Sequence, residues 1–528
     1  MKFSNYASNR WLRRTFIQHR IPSALTQSGF RLGLIVLSSF SVGLAVIVST
    51  YYVNNIKLLI GLIGGIAFVL MTMRWPEFAI LFLVALLSGL ISTSWLPLLH
   101  LGPVSLNISD AILLVLLALV FLRVTTQRGF ILFGSPLMLP LFLFIGAFLF
   151  SAVYAIVVQG VNANVVLRTI RVLSLWIVFF PTLQLIRDEP ALRRFLNGLL
   201  IFAALLLIGV LFPNMLEPLL YLEERTAGTG SEIYSDITRV YYAGDMVLYA
   251  MIPVTVASLA MIKRGNQSWR IGFLGLLLYW LFRTFFRQYW LTLFVACFLL
   301  LWFLSSRQRF RLIKRMAPAI VIGVLLLVML IVTQPTKVER IVYIMADRLG
   351  SLLQNPLKNE GSLQWRAIET RAAMEQIYRH PILGIGLANS YRTPMAGEDD
   401  NMYSGWAYKY VENGYVYIAV MMGLIGLMPF LWLCATYIYR VFQTRHEIRD
   451  EWLRTIYLGF GAAFLGMIAC NLASPTFVIG TRLIFFPVLM AISEIILRLE
   501  REKRAQQRNF STRGDNDRCD SFLIQVGH

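Results

Sequence analysis

Apolar stretches long enough to cross a bilayer recur along almost the whole chain, and no other feature constrains its fold so strongly. About 20 residues at 1.5 Å each span the hydrocarbon core, so a run of roughly 18 or more apolar residues reads as a transmembrane helix. Such runs fall at residues 32–53, 56–73, 76–95, 108–122, 136–157, 170–186, 195–213, 241–262, 271–286, 288–304, 317–333, 414–439, 456–474 and 481–497. The expected fold is therefore all-α, a polytopic bundle of about 14 transmembrane helices with one large external helical loop. Of the 528 residues 57% are hydrophobic and 14% charged. That is too few charges for the surface of a soluble protein of this length.

The net charge of +20 and pI near 10.0 invite a nucleic-acid reading, but in a membrane protein topology comes first. With the N-terminus in the cytoplasm, the even-numbered connections are cytoplasmic too. They hold Arg74, then Arg123 and Arg128, then Arg187, Arg193 and Arg194, then Lys263, Arg264 and Arg270. The run Arg307, Arg309, Arg311, Lys314, Arg315 follows, then Arg440, Arg445, Arg449 and Arg454, and the tail from Arg498. Lysine and arginine gather on the inner side, so the excess charge reports orientation, and a nucleic-acid partner is not expected. The basic segment 1–31 reads as a frayed tail or a short surface helix. The tail 498–528 is expected to be cytoplasmic, basic and disordered. No cleavable signal peptide is expected. Cys297, Cys434 and Cys470 lie in apolar runs and Cys519 in the tail, so no disulfide framework is expected.

This division leaves 32–333 as the first eleven spans, 334–413 as the external segment and 414–497 as the last three spans. The stretch Pro335 to Val411 carries nine Lys/Arg and eight Asp/Glu. A polar segment on one face of a membrane is where chemistry on a lipid-linked substrate would sit. Within it, Thr336 to Leu353 has a helical apolar period. A second helix is expected from near Ser362 to Pro381, where proline ends it. Arg366 and Glu369 fall on one face of that helix, as an intrahelical pair or as site residues. The polar run Gly397 to Asn401 is an expected mobile tip. Glu412 at the head of the next span is either a solvated end residue or an acid/base group.

Four arginines stand on the wrong side of the topology rule. Arg168 and Arg171 lie at the external start of the sixth span, and Arg283 and Arg287 at the external turn between the ninth and tenth. They either snorkel to headgroups or form an anion site. A planar guanidinium fork suits phosphate, and a diphosphate on a lipid carrier is an anion at that depth, with headgroup phosphate the alternative.

Trp365-Arg366-Ala367-Ile368-Glu369 leading to Ala373, His380-Pro381-Ile382-Leu383-Gly384-Ile385-Gly386-Leu387, Tyr391-Arg392, and Glu412-Asn413-Gly414-Tyr415 with Gly423-Leu424-Ile425-Gly426 occur in this order. Together they resemble the O-antigen ligase/polymerase family of bacterial inner-membrane glycosyltransferases. Phe286-Arg287-Gln288 resembles that family's Ser-Arg turn, with Phe in place of Ser. The detailed resemblance covers about 280–430. It implies transfer of glycan from a polyprenyl-diphosphate-linked oligosaccharide to a glycan or lipid acceptor at the outer face of the inner membrane, among membrane lipids. It also implies cytoplasmic N- and C-termini, and neither cofactor nor metal is expected. Arg287 and Arg366 would grip the diphosphate, with Glu412 as the third catalytic candidate. Arg168, Arg171, Arg283, Glu369, His380, Arg392 and Asn413 are candidate substrate-binding residues. The family commonly has His-Asn where this chain has Glu412-Asn413. A glutamate base is compatible with the chemistry, but the role does not transfer from histidine, and His380 is the fallback. A polysaccharide polymerase is the leading expectation. A ligase to lipid A-core or protein, and a lipid-linked oligosaccharide flippase, are the alternatives.

Overall fold

A computed structural model describes residues 56–88, 99–101, 104–127, 130, 132–212, 222–226, 238–242, 244–263, 265–284, 286–334, 336, 339, 361–393, 410–478 and 480–525. The segment 1–31, the span expected at 32–53, nearly all of the helix expected over Thr336 to Leu353, and the tip Gly397 to Asn401 lie outside the described residues.

Helices dominate: α1 Ile56–Arg74, α2 Pro76–Leu87, α3 Ile108–Thr126, α4 Met138–Val157, α5 Ala163–Leu173, α6 Phe179–Leu185, α7 Glu189–Leu211, α8 Asp245–Met261 and α9 Gln267–Thr284. They continue as α10 Arg287–Phe303, α11 Ser306–Thr333, α12 Gly361–Arg379, α13 Gly414–Thr444, α14 Glu451–Cys470, α15 Gly480–Leu483 and α16 Phe485–Gln525, the last running on as helix through most of the tail expected to be disordered. Among the described residues, six helical segments are long and apolar enough to cross a membrane: Ile108–Thr126, Met138–Val157, Ala163–Leu185, Glu189–Leu211, Gly414–Thr444 and Glu451–Cys470. The span expected at 170–186 is α5, a 3-10 turn Ser174–Val178 and α6 in series. Two antiparallel hairpins, β1 Leu99–Leu101 with β2 Val104–Leu106 and β3 Leu222–Thr226 with β4 Thr238–Tyr242, were not expected. Their Leu, Val, Thr and Tyr residues pleat readily, but three to five residues are too few to stand out from an apolar background.

The chain divides into two units. One comprises 1–74 and 117–132. Within it Arg123 donates to the Met73 carbonyl near the end of α1 (3.3 Å). The other comprises 75–116 and 133–528. At its centre α14 packs against α8, α10, α13 and α16. Rings fill the neighbouring space: Trp176, Phe144, Phe430, Phe464, Phe477 and Phe486 meet in one connected aromatic cluster.

The feature that places the site is a break in α13. Gly423 sits at φ 60°, ψ −159° inside that helix, a conformation open essentially to glycine alone. The break frees two carbonyls and two amides that a continuous helix would pair. The segment after α12 takes all four. Ile385 N–H donates to the Val420 carbonyl (2.9 Å) and Gly386 N–H to the Met421 carbonyl (3.1 Å). Leu424 N–H donates to the Pro381 carbonyl (2.9 Å) and Ile425 N–H to the Ile382 carbonyl (3.3 Å). From α4, Ser151 Oγ donates to the Met421 carbonyl as well (2.8 Å). In a membrane every backbone group needs such a partner. A Cβ on Gly384 would stand 2.7 Å from the Gly423 nitrogen, and one on Gly423 would run into the Ile382 carbonyl. The Gly-x-Gly of the polar segment and the Gly-x-x-Gly of the next span are thus two halves of one backbone joint. It fastens α12 to α13.

Candidate functional site

The helix expected from Ser362 runs Gly361–Arg379 and stops before Pro381. It packs on α13 and brings two predicted site residues together, for Arg366 and Glu412 form an ion pair. The intrahelical partner considered for Arg366, Glu369, is buried instead, as is Ala373 one turn on. Arg366 and Glu412 keep 34% and 41% of their side chains exposed. A pair that open contributes at most about 1 kcal/mol to stability, so its charges remain available to a ligand.

Glu412 is held by its neighbours. Asn413 caps α13, its side chain accepting from Tyr415 N–H (3.0 Å) and Val416 N–H (3.2 Å). Its Oδ1 is therefore committed to the helix. Gly414 N–H donates to the Asn471 carbonyl (2.9 Å), and any side chain at 414 would collide with Asn471. The Glu-Asn-Gly motif is a carboxylate followed by its mounting.

Just before Glu412, Tyr410 is half-buried with its ring beside that of Tyr417. Burial pushes the Tyr410 phenol well above its ordinary range; Tyr417 and Glu412 add to the rise and Arg482 opposes it. Arg482 was not anticipated. Its Nε donates to Asp245 Oδ2 (2.9 Å) and its Nη1 to Ser474 Oγ (2.8 Å). The Tyr289 hydroxyl donates to the same Asp245 oxygen. The Arg482 guanidinium lies 6.0 Å from the Phe286 ring and 5.9 Å from the Tyr289 ring. Those rings bracket Arg287, the first residue of α10. A signal was present: Asp245 and Arg482 are ionisable residues inside expected spans, which is costly unless paired.

The remaining candidates spread out. Arg171 Nε pairs with Asp110 Oδ2 (2.9 Å), so its charge already has a carboxylate partner. Arg168 is exposed on α5, and α5 packs on α15, which carries Arg482. Arg283 is half-buried at the end of α9. His380 is exposed, and its carbonyl accepts from Gly384 N–H (3.0 Å) at the backbone joint. Tyr391 is buried and its hydroxyl donates to the Tyr410 carbonyl (3.3 Å). Arg392 stands 6.0 Å from the Tyr391 ring. Two clusters result, Arg366–Glu412 at the mouth of α13 and Arg287 beside Asp245–Arg482–Tyr289, with Tyr410 between them.

Both clusters draw on a segment that matches a known family. That stretch is similar to an O-antigen ligase. Residues 272–431 match the family model of that description. No curated protein matches the chain. The matched residues take in most of α9, all of α10 to α12 and the first part of α13, hence Arg283, Arg287, Arg366, Glu369, His380, Arg392, Glu412 and Asn413. Asp245 and Arg482 lie outside the matched residues and pack against them.

Proposed function

We propose that the chain is an inverting, metal-independent glycosyltransferase, with a polyprenyl-diphosphate-linked saccharide as donor on the outer face of the membrane. Its leading activity is that of a polysaccharide polymerase. The meeting of Arg366 with Glu412 at the mouth of α13, inside the stretch similar to an O-antigen ligase, carries this reading.

In such a reaction the acceptor hydroxyl oxygen bonds to the anomeric carbon from the face opposite the diphosphate. The bond from that carbon to the diphosphate oxygen breaks, and its electron pair leaves on the diphosphate. Glu412 takes the hydroxyl proton, and Arg287 and Arg366 meet the charge that develops on the leaving group. In-line displacement puts base and leaving group on opposite sides of the sugar. Arg366 cannot stay on Glu412 and also hold the diphosphate, so donor binding exchanges one anion for the other and frees the carboxylate. The pair's exposure makes that exchange inexpensive.

The test is protein in lipid vesicles with a competent polyprenyl-diphosphate oligosaccharide, the lipid-linked products being resolved by size. A ladder with release of carrier diphosphate, abolished by Glu412→Gln and reduced about 100-fold or more by Arg287→Ala, is the expected result. An unchanged ladder with Glu412→Gln removes that residue from the chemistry. Carrier release with no ladder, only when a lipid acceptor is supplied, supports the ligase reading, which the family description favours. No product from a competent donor supports a flippase.

A further inference from the structure

Asp245, Tyr289, Ser474 and Arg482 form a buried polar knot between α8, α10, the α14–α15 connection and α15. We propose that Arg482, held by Asp245, is a positioning residue that sets Arg287 against Glu412. The inference rests on the glycosyltransferase reading above and extends it to residues outside the matched domain.

Its position supports this role. The rings that Arg482 faces, Phe286 and Tyr289, stand on either side of Arg287 in the α9–α10 turn. The Tyr289 hydroxyl is bound to Asp245, so the first turn of α10 is tied to the first turn of α8. On its other side Arg482 donates to Ser474. Three residues earlier in that connection, the Asn471 carbonyl receives Gly414 N–H, two residues after Glu412. One short connection therefore holds the mount of Glu412 and, through Arg482, the turn of Arg287.

The pair is not the only thing that brings these helices together. Helices α8 and α14 already approach to backbone distance, since a Cβ on Gly459 would stand 2.6 Å from Val254 Cα. Helices α10 and α14 do the same at Gly466, where a Cβ would stand 2.8 Å from the Thr292 carbonyl. Small residues that let helices approach so closely drive their packing in lipid. A buried ion pair, by contrast, contributes little net stability once its desolvation is counted, although breaking it on one side is costly.

That asymmetry makes a test. Arg482→Gln or Asp245→Asn alone leaves a buried unpaired charge and lowers the melting temperature. The double variant Asp245→Asn/Arg482→Gln removes both charges and recovers most of that loss. If the pair positions Arg287, the double variant still turns over about 10- to 100-fold more slowly, because small misplacements of a reacting group are that costly. The loss falls on kcat and leaves the acceptor KM unchanged. Near-normal melting with near-normal turnover overturns the inference and makes the pair purely structural. Should the double variant not fold, Tyr289→Phe decides. It removes one hydroxyl from Asp245, and slower turnover at unchanged melting upholds the inference, while unchanged turnover overturns it. If the unmodified protein neither elongates a donor nor transfers its glycan to a supplied acceptor, the glycosyltransferase reading fails and this inference with it. Elongation by the unmodified protein and equally by the double variant overturns this inference alone.

Discussion

Gly423 shows how much a single residue decides here. Its φ of 60° and ψ of −159° would strain any other residue by about 1–3 kcal/mol, and a side chain would also meet the Ile382 carbonyl. Gly423→Ala is therefore expected to destabilise the protein by at least that amount, read as a fall in melting temperature in detergent. Gly146→Ala is the control: nothing lies within 4 Å of a Cβ there, and a helical glycine replaced by alanine gains about 0.5–1 kcal/mol. An equal response at both positions would remove the joint from the argument. The glycines themselves were legible in the sequence as motifs, and Arg366 and Glu412 as candidates. Their pairing was not, because each partner lies on a different element. Arg482 and Asp245 are 237 residues apart, and no local spacing announces them. Arg171 shows the reverse case. It is a charge whose exceptional place was visible, while its answer, Asp110, was not.

Among the elements, helix ends account for many of the arginines first read as topology signals. Arg498 donates to the carbonyls of Leu183 (3.2 Å), Ile186 (2.7 Å) and Arg187 (3.3 Å) at the end of α6, and lies 3.8 Å from the Phe133 ring centre. Arg311 donates to the carbonyls of Ala260 (3.2 Å) and Met261 (3.1 Å), and Arg315 to that of Ile262 (2.9 Å), at the end of α8. These carbonyls have no partner within their own helices, and a cation there also meets the negative end of the helix dipole. The side chains that carry the expected orientation thus also cap helix ends. Arg498→Lys separates the two roles, since it keeps the charge but loses the planar fork and the ring stacking. Stability is expected to fall by about 1–3 kcal/mol, the worth of hydrogen bonds from a charged group, with orientation unchanged. A melting temperature equal to that of the unaltered protein would leave Arg498 with topology alone.

Within the larger unit, charge separates by end. The cap of α14, Asp450, accepts from Arg193 of α7 (3.3 Å); Glu189 pairs with Arg193 (2.6 Å) and Lys503 (2.5 Å); Arg194 pairs with Glu77 (2.7 Å); Arg501 pairs with Glu447 (2.9 Å). Every residue in this belt lies at an even-numbered connection of the sequence-derived topology, at the span end beside one (Glu77), or in the tail beyond the last span. Glu412, Asn471, Arg482, Asp245 and Arg287 all lie at odd-numbered connections or the span ends beside them. The distribution of lysine and arginine along the sequence sorts these two ends, because it depends only on the order of spans. It does not say which residues at each end touch, since that depends on how the spans pack. Chemistry on a lipid-linked donor outside the cell requires the second end to face outward. That orientation is measurable with a protein whose four native cysteines have been replaced. Tyr378→Cys on α12, at a position 78% exposed, is expected to react with an impermeant maleimide in spheroplasts. His446→Cys, in the exposed turn between α13 and α14, is expected to react only after lysis. The opposite pattern would put Arg366 and Glu412 in the cytoplasm, where the leaving carrier diphosphate and the acceptor of the proposed reaction would be on the wrong side. The glycosyltransferase reading would then fail even if every contact in the site were correct.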